Sequence, residues 1–297
     1  MATSPLFQTF ERLRGFFDQK NPFQEHHLLN LEMAPDAFAA YKTQWLEEKA
    51  FFAAQTGHNY PSLDCMSGWA TRNATALFAL PRNEQVDLAV WAAGTYQPGM
   101  LKLLLRHDPS LAKTRDHGGD TVLHAAAASQ DPYLLLDLLP RDPGAVRTLT
   151  DQQGMTPVQR LILARKNDPR WPARFGLADH NSCIRIMGDA CPPALREPFN
   201  DGSTALHLAA GLQYPMGPCK AIVAAGGQWN RPDNAGRTPA QALAENQGFQ
   251  PKLDGKSQGQ RREARWRQEA LAAGDVPWEQ PFMAQAKAGL RKLLGSR

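Results

Sequence analysis

The sequence predicts an all-α fold: a solenoid of about five helix-turn-helix repeats with an α-helical cap at its N-terminus. Three observations carry this expectation. A Gly-x-Thr motif returns along the chain at a near-constant interval. Each return opens onto paired apolar stretches. Residues 1–82 lack the motif but keep apolar groups three to four positions apart, the spacing of a helix face.

The chain has 297 residues, 42% hydrophobic and 21% charged, the composition of an ordinary globular protein. Its 33 Lys and Arg against 29 Asp and Glu give a net charge of +4, far from the single-sign excess of a dedicated nucleic-acid binder. Glu11, Arg12 and Arg14 interrupt the apolar stretch nearest the start, so a secretory signal is not expected there. No run approaches the roughly 18 apolar residues of a membrane span. Four scattered cysteines, Cys65, Cys183, Cys191 and Cys219, fit reduced thiols in a cytoplasmic protein better than a disulfide framework.

In the N-terminal module (1–82), Leu6, Phe10, Leu13 and Phe17 share one helical spacing, as do Phe38, Tyr41 and Trp45. Pro35-Asp36 marks a helix start and Gly57 a stop. Phe16, Phe17, Phe51, Phe52 and Trp69 are expected to pack against the first repeat and cap it. A membrane-surface helix over 4–19 is the alternative, and two Arg with no Lys before position 20 are a poor fit to it.

The repeat region spans 83–250. From Asp116 the chain reads D-H-G-G-D-T-V-L-H-A-A-A, and from Phe199 it reads F-N-D-G-S-T-A-L-H-L-A-A. Asp151 to Val158 (D-Q-Q-G-M-T-P-V) and Asp233 to Ala240 (D-N-A-G-R-T-P-A) keep the frame. The anchoring glycines Gly119, Gly154, Gly202 and Gly236 are separated by 35, 48 and 34 residues, the middle interval carrying an insert near 166–181. Asp and Gly suit a tight turn. Thr121, Thr156, Thr204 and Thr238 sit where a helix begins, with Pro157 and Pro239 at its first position. Short Ala-rich helices follow, Val122 to Ala128 and Ala205 to Ala210 among them. Second helices are expected over Pro98 to Arg106, Tyr133 to Leu139, Asn181 to Ala190 and Gly217 to Ala225. A degenerate first repeat lies near residue 84, with Val86 to Trp91 one period upstream of Val122. Beyond the repeats, 251–297 reads as a helical C-terminal cap; Arg261, Arg262, Arg265 and Arg267 lie on one helix and Lys287, Arg291 and Lys292 on another.

These four in-frame copies resemble the ankyrin-repeat family, whose motif is T-P-L-H-x-A after a β-turn. The resemblance covers roughly Glu84 to Gln250. It implies that His124 and His207 link adjacent turns through hydrogen bonds, and that Gln159 and Gln241 preserve the link in the two weaker repeats. It also implies a protein partner held on the turn tips and on the concave face of the first helices. Mapped onto this chain, that site includes His117, Asp120, Gln153, Met155, Asp201, Ser203, Asn234 and Arg237 at the tips, and Arg160, with Ser129, Leu208 and Leu212, on the helices. The insert adds Trp171 and Phe175, of residue types enriched at interface hot spots. Asp120, Trp171, Asp201 and Arg237 are expected to be exposed.

Motifs that would carry chemistry are weak. Gly255-Lys256-Ser257 lacks the earlier glycine of a phosphate loop, because position 250 is Gln. His180, Cys183, Cys191 and Cys219 contain no C-x-x-C pair, so neither metal nor cofactor is expected. His58, Asp64 and Cys65 could imitate a Cys/His nucleophile pair, but no family signature surrounds them. The expected function is therefore that of a non-enzymatic protein-binding module: an adaptor, inhibitor or antagonist. One alternative is a microbial effector, delivered to a host cell, whose repeats target a host protein while the N-terminal module acts on it. The other is nucleic-acid binding through the basic C-terminal helix.

Overall fold

A computed structural model describes residues 4–18, 35–59, 64–164, 177–246 and 258–275. Among them every regular element is a helix and no strand occurs. Two long helices open the chain, α1 (Pro5–Asp18) and α2 (Pro35–Thr56). The second starts at the expected Pro35 and ends where Gly57 turns left-handed at φ +79°. Two short helices, α3 (Ser67–Arg72) and α4 (Ala74–Phe78), lead into α5 (Arg82–Gly94) and α6 (Pro98–His107).

Helix α1 buries Phe7, Phe10, Leu13 and Phe16, so its apolar face is covered by protein and the membrane-surface reading is set aside. The Phe16 ring lies 5.9 Å from Trp45 and 5.0 Å from Phe52, both on α2. Phe10 reaches further along the molecule, to Trp69 on α3 and edge-on to Trp91 on α5 at 5.0 Å. The segment 64–66 is stitched to the α5–α6 corner: the Gly99 amide donates to Asp64 Oδ1 at 2.7 Å, and the Met66 amide to Gln97 Oε1 at 2.9 Å.

Downstream, short helices come in pairs. They are α7 (Val122–Ser129) with α8 (Pro132–Leu138), and α10 (Pro157–Leu163) with α11 (Leu177–Ala190). They continue as α13 (Ala205–Ala210) with α14 (Met216–Ala224), and then α15 (Pro239–Glu245). Single turns α9 (Ala145–Thr148) and α12 (Pro193–Arg196) lie between pairs, and α16 (Gln258–Gly274) closes the described chain. The first members form a row in which α5 touches α7, α7 touches α10, α10 touches α13 and α13 touches α15. The second members form another, α8 against α11 and α11 against α14.

Close approach along the first row follows from alanine. Ala92, Ala93, Ala125, Ala126, Ala127, Ala209 and Ala210 are fully buried, each contributing little more than backbone thickness. Larger groups, Leu104, Leu135, Ile184 and Ile222, fill the space between rows. One hydrophobic cluster runs without a break from Phe7 to Ala270. No pair could bury its apolar side alone, so stacking supplies the burial. Helix α11 begins at Leu177, earlier than the expected Asn181. The insert residues 166–176, with Trp171 and Phe175, and the second basic helix with Lys287, Arg291 and Lys292 lie outside the described residues.

The four anchoring glycines are left-handed, at φ +81°, +76°, +78° and +79°. A Cβ on Gly202 would also meet the Asn234 backbone nitrogen at 2.5 Å, whereas one on Gly154 would meet nothing within 4 Å. Gly154→Ala is therefore expected to cost only the left-handed penalty of about 1–2 kcal/mol. Gly202→Ala should cost clearly more, because a neighbouring turn must also move. Equal midpoints for the two variants in urea unfolding would contradict this.

Candidate protein-binding surface

Each turn is built in the same way. The amide of its first residue donates to the carbonyl four positions on: Asp116 to Asp120, Asp151 to Met155, Phe199 to Ser203 and Asp233 to Arg237, at 2.7 to 2.9 Å. The glycine amide then donates back to that first residue. Where the first residue is Asp, its Oδ1 accepts further amides: Asp120 for Asp116, Gln153 and Met155 for Asp151, Ala235 and Arg237 for Asp233. Where it is Phe199, the Asp two positions later takes over, Asp201 Oδ1 accepting from the Ser203 amide and hydroxyl.

The helix that follows starts on the same plan. Thr156 and Thr238 accept the amides of Gln159 and Gln241. The amides of Thr156 and Thr238 in turn donate to the Gln side chains at 2.8 Å. At Thr121 and Thr204 an imidazole plays the glutamine's part. Nδ1 of His124 lies 3.3 Å from the Thr121 amide, and Nδ1 of His207 lies 3.0 Å from that of Thr204. Because Nδ1 accepts, the ring proton sits on Nε2 and is donated to the next turn, to Met155 O and Arg237 O, both at 2.9 Å.

That pairing makes the turns come in twos. Between the first and second, Arg115 donates to Thr150 and Gln152 to the His117 carbonyl. Between the third and fourth, Arg231 donates to the Arg196 carbonyl and Asn234 to that of Asn200. Between the second and third, Gln159 forms its cap and, among the described residues, donates nothing to the next turn. The expectation that Gln159 preserves the cross-turn link is corrected: the interval carrying the insert is also where the bond is missing. An Arg147–Glu197 ion pair bridges this junction instead.

Burial of the imidazoles has a pH consequence. Loss of water disfavours the charged ring, so His124, His180 and His207 all titrate below the ordinary 6.5. Below that value the unfolded chain binds protons that the folded chain does not. Stability is therefore complete above about pH 6.5 and falls as the pH drops below it. The midpoint of thermal unfolding should decline between pH 7.5 and 5.5, and less steeply in His124→Gln/His207→Gln; equal slopes would contradict the assignment.

The sequence-chosen binding residues separate into two groups. Gln153, Asp201, Asn234 and Arg237 are exposed at the tips. His117 is exposed too, but its amide and Nδ1 both meet Asp87 Oδ1 on α5, at 3.0 and 2.9 Å. Asp120 is the clear correction: it is 1% exposed, not a surface group. Its carboxylate lies beneath Arg160 Nη2 at 3.7 Å, and Arg160 Nε meets Asp151 Oδ2 at 2.6 Å. Arg160 also donates to Gln153 Oε1 at 2.6 Å, so it is half-buried in an internal network. Met155 is half-buried with its carbonyl on His124, and Ser203 and Ser129 are buried. Leu208 and Leu212 are half-buried.

The chemical alternatives fare differently. Cys65 is buried in the core, Asp64 holds the start of α6 through Gly99, and His58 is exposed past the end of α2. His180 Nε2 lies 2.9 Å from the Leu161 carbonyl, fastening α11 to α10, and burial pushes the Cys219 thiol far up. Of the basic C-terminal helix, Arg267 donates to the carbonyls of Leu243 and Ala244 at the end of α15, and Arg265 pairs with Glu269. Ligand atoms of Asp87, Asp116 and His117 lie within 4.8 Å of one another, a grouping sequence reading missed because Asp87 belongs to the preceding repeat. Their hydrogen bonds fasten the first turn to α5. Asp131 was also missed, though Asp-Pro before an apolar run is an N-cap signal. Its Oδ1 accepts the amides of Tyr133 and Leu134.

No protein-family model matches the chain, and no curated protein matches it. Among the described residues no helix is long and apolar enough to cross a membrane.

Proposed function

We propose that the chain is an ankyrin-repeat protein, without a catalytic step of its own, that holds a protein partner on its turn tips and the adjoining face of the first-row helices. The observation that carries this reading is the fourfold turn. One set of backbone bonds and one left-handed glycine recur at each, while the exposed tip side chains differ between turns: Gln153 on the second, Asp201 on the third, Asn234 and Arg237 on the fourth. A recurring backbone frame whose exposed side chains change from turn to turn suits recognition. The reading takes the compartment to be the cytoplasm, where buried thiols such as Cys65, Cys183 and Cys219 stay reduced. Nucleic-acid binding is the weaker reading, because Arg265 and Arg267 are engaged within α15 and α16.

The test replaces Gln153, Asn234 and Arg237 by Ala and Asp201 by Asn, which keeps the acceptor that Ser203 needs, leaves buried Asp120 intact, and confirms by circular dichroism that the variant is folded. Wild type and variant are compared for proteins retained from a lysate of the source organism. A control variant, Tyr133→Ser/Leu136→Ser, changes exposed apolar groups on α8 instead. The reading expects a partner retained by wild type and control and lost by the tip variant. Retention of the same proteins by all three would reject the tips as the site.

A further inference from the structure

A groove lies away from the tips, between the segment 109–113 that follows α6 and the segment 138–149 that begins at the end of α8. The groove encloses about 190 Å³. Its floor is apolar, formed by Val122 and Leu123 at the start of α7 and by Leu138, Ala145 and Leu149. Its rim is charged by Lys113, Arg141 and Asp142. Lys113 Nζ meets Asp142 Oδ2 at 2.6 Å and ties the two walls together. That contact, more than any other, holds the Asp142 carboxyl below its ordinary range. Lys113 and Asp142 are thus paired with each other, which leaves the charge of Arg141 on the same rim. Arg141 is exposed and has no anionic partner among the described residues.

We propose that this groove binds a small apolar monocarboxylate, of the size and type of phenylacetate, with its ring on the floor and its carboxylate on Arg141. The proposal is independent of the protein-binding reading. Size sets the first limit: an apolar cavity of roughly 150 Å³ accepts a benzene ring, while drug-sized ligands need about 300 Å³ or more. Charge sets the second. A guanidinium offers a planar pair of donors that matches a carboxylate, and because Arg141 is exposed the pair adds selectivity more than affinity. A neutral ligand would leave Arg141 unmatched, and a dianion would exceed the single unmatched charge.

The test titrates the full-length protein with phenylacetate and, separately, with uncharged phenylacetamide, following methyl resonances by NMR. The expected result is saturable binding of phenylacetate with a dissociation constant on the order of 0.1–1 mM, suited to so few heavy atoms. Shifts should centre on Val122, Leu123, Leu138, Ala145 and Leu149, with phenylacetamide about threefold to fivefold weaker. Arg141→Met, at an exposed site that should not disturb folding, is expected to remove the preference for the acid. Ala145→Leu, which fills the floor, should abolish both titrations while circular dichroism stays native. If that variant unfolds, the Arg141→Met comparison decides alone. Equal binding of acid and amide by wild type, an unchanged preference in Arg141→Met, shifts centred elsewhere, or no saturable binding would each overturn the proposal.

Discussion

Replacing Arg160 by leucine should destabilise the protein by about 3 kcal/mol at neutral pH, near the low end of the roughly 3–5 kcal/mol that follows from breaking a buried ion pair. The reason is the side left behind. Asp151 is fully buried and Asp120 nearly so, and Arg160 is the cation that faces both. Asp151 keeps its Oδ1 bonds to the Gln153 and Met155 amides in the variant, but its Oδ2 loses a charged partner at 2.6 Å. Arg160 itself retains 23% exposure of its side chain, which places the effect toward the lower bound. Adding Asp151→Asn to Arg160→Leu should recover much of the loss, since Asn still accepts both amides through its carbonyl oxygen. Urea unfolding of the two singles and the double gives the coupling directly. Simple additivity would show that the network is not what stabilises this turn.

Phe10→Ala is expected to cost about 3–5 kcal/mol, the range for a large aromatic ring lost from a closed core. Phe10 is wholly buried and touches the rings of Trp69 and Trp91, so one side chain joins α1 to α3 and to the first helix of the row. The effect should reach the repeats. Amide exchange in α5 and α7 should quicken along with that in α1, because stability in a stacked array passes between neighbours. Faster exchange confined to α1 would mean that the N-terminal helices sit on the row without stabilising it.

The turns were legible in the sequence because each is a local structure. Gly at a left-handed position, Thr at a helix start and Pro at its first residue act within a few bonds, and Gly119, Thr156 and Pro239 stand where those signals put them. The Ala-rich helices were legible for a similar reason, as was the start of α2 at Pro35. Asp120 was not. It has the position and residue type of a tip, and its burial depends on Arg160, which arrives from the following repeat. Gln159 misled in the same way: it has the chemistry for a cross-turn bond, yet whether a partner lies within reach depends on the next turn.

What the sequence determined by itself, then, is the helical character of the described residues, the four turns and the start of each helix after them, since those depend on backbone conformation and on bonds spanning three or four residues. Only the tertiary structure decided which polar groups are surface and which are internal. It separated exposed Asp201 and Arg237 from buried Asp120 and Ser203. It also brought Asp87 to His117, Lys113 to Asp142 and Phe10 to Trp91, across 29 to 81 positions of chain. The physical reason is that burial and charge pairing are properties of neighbours in space, and in a stacked array those neighbours come from the adjacent repeat.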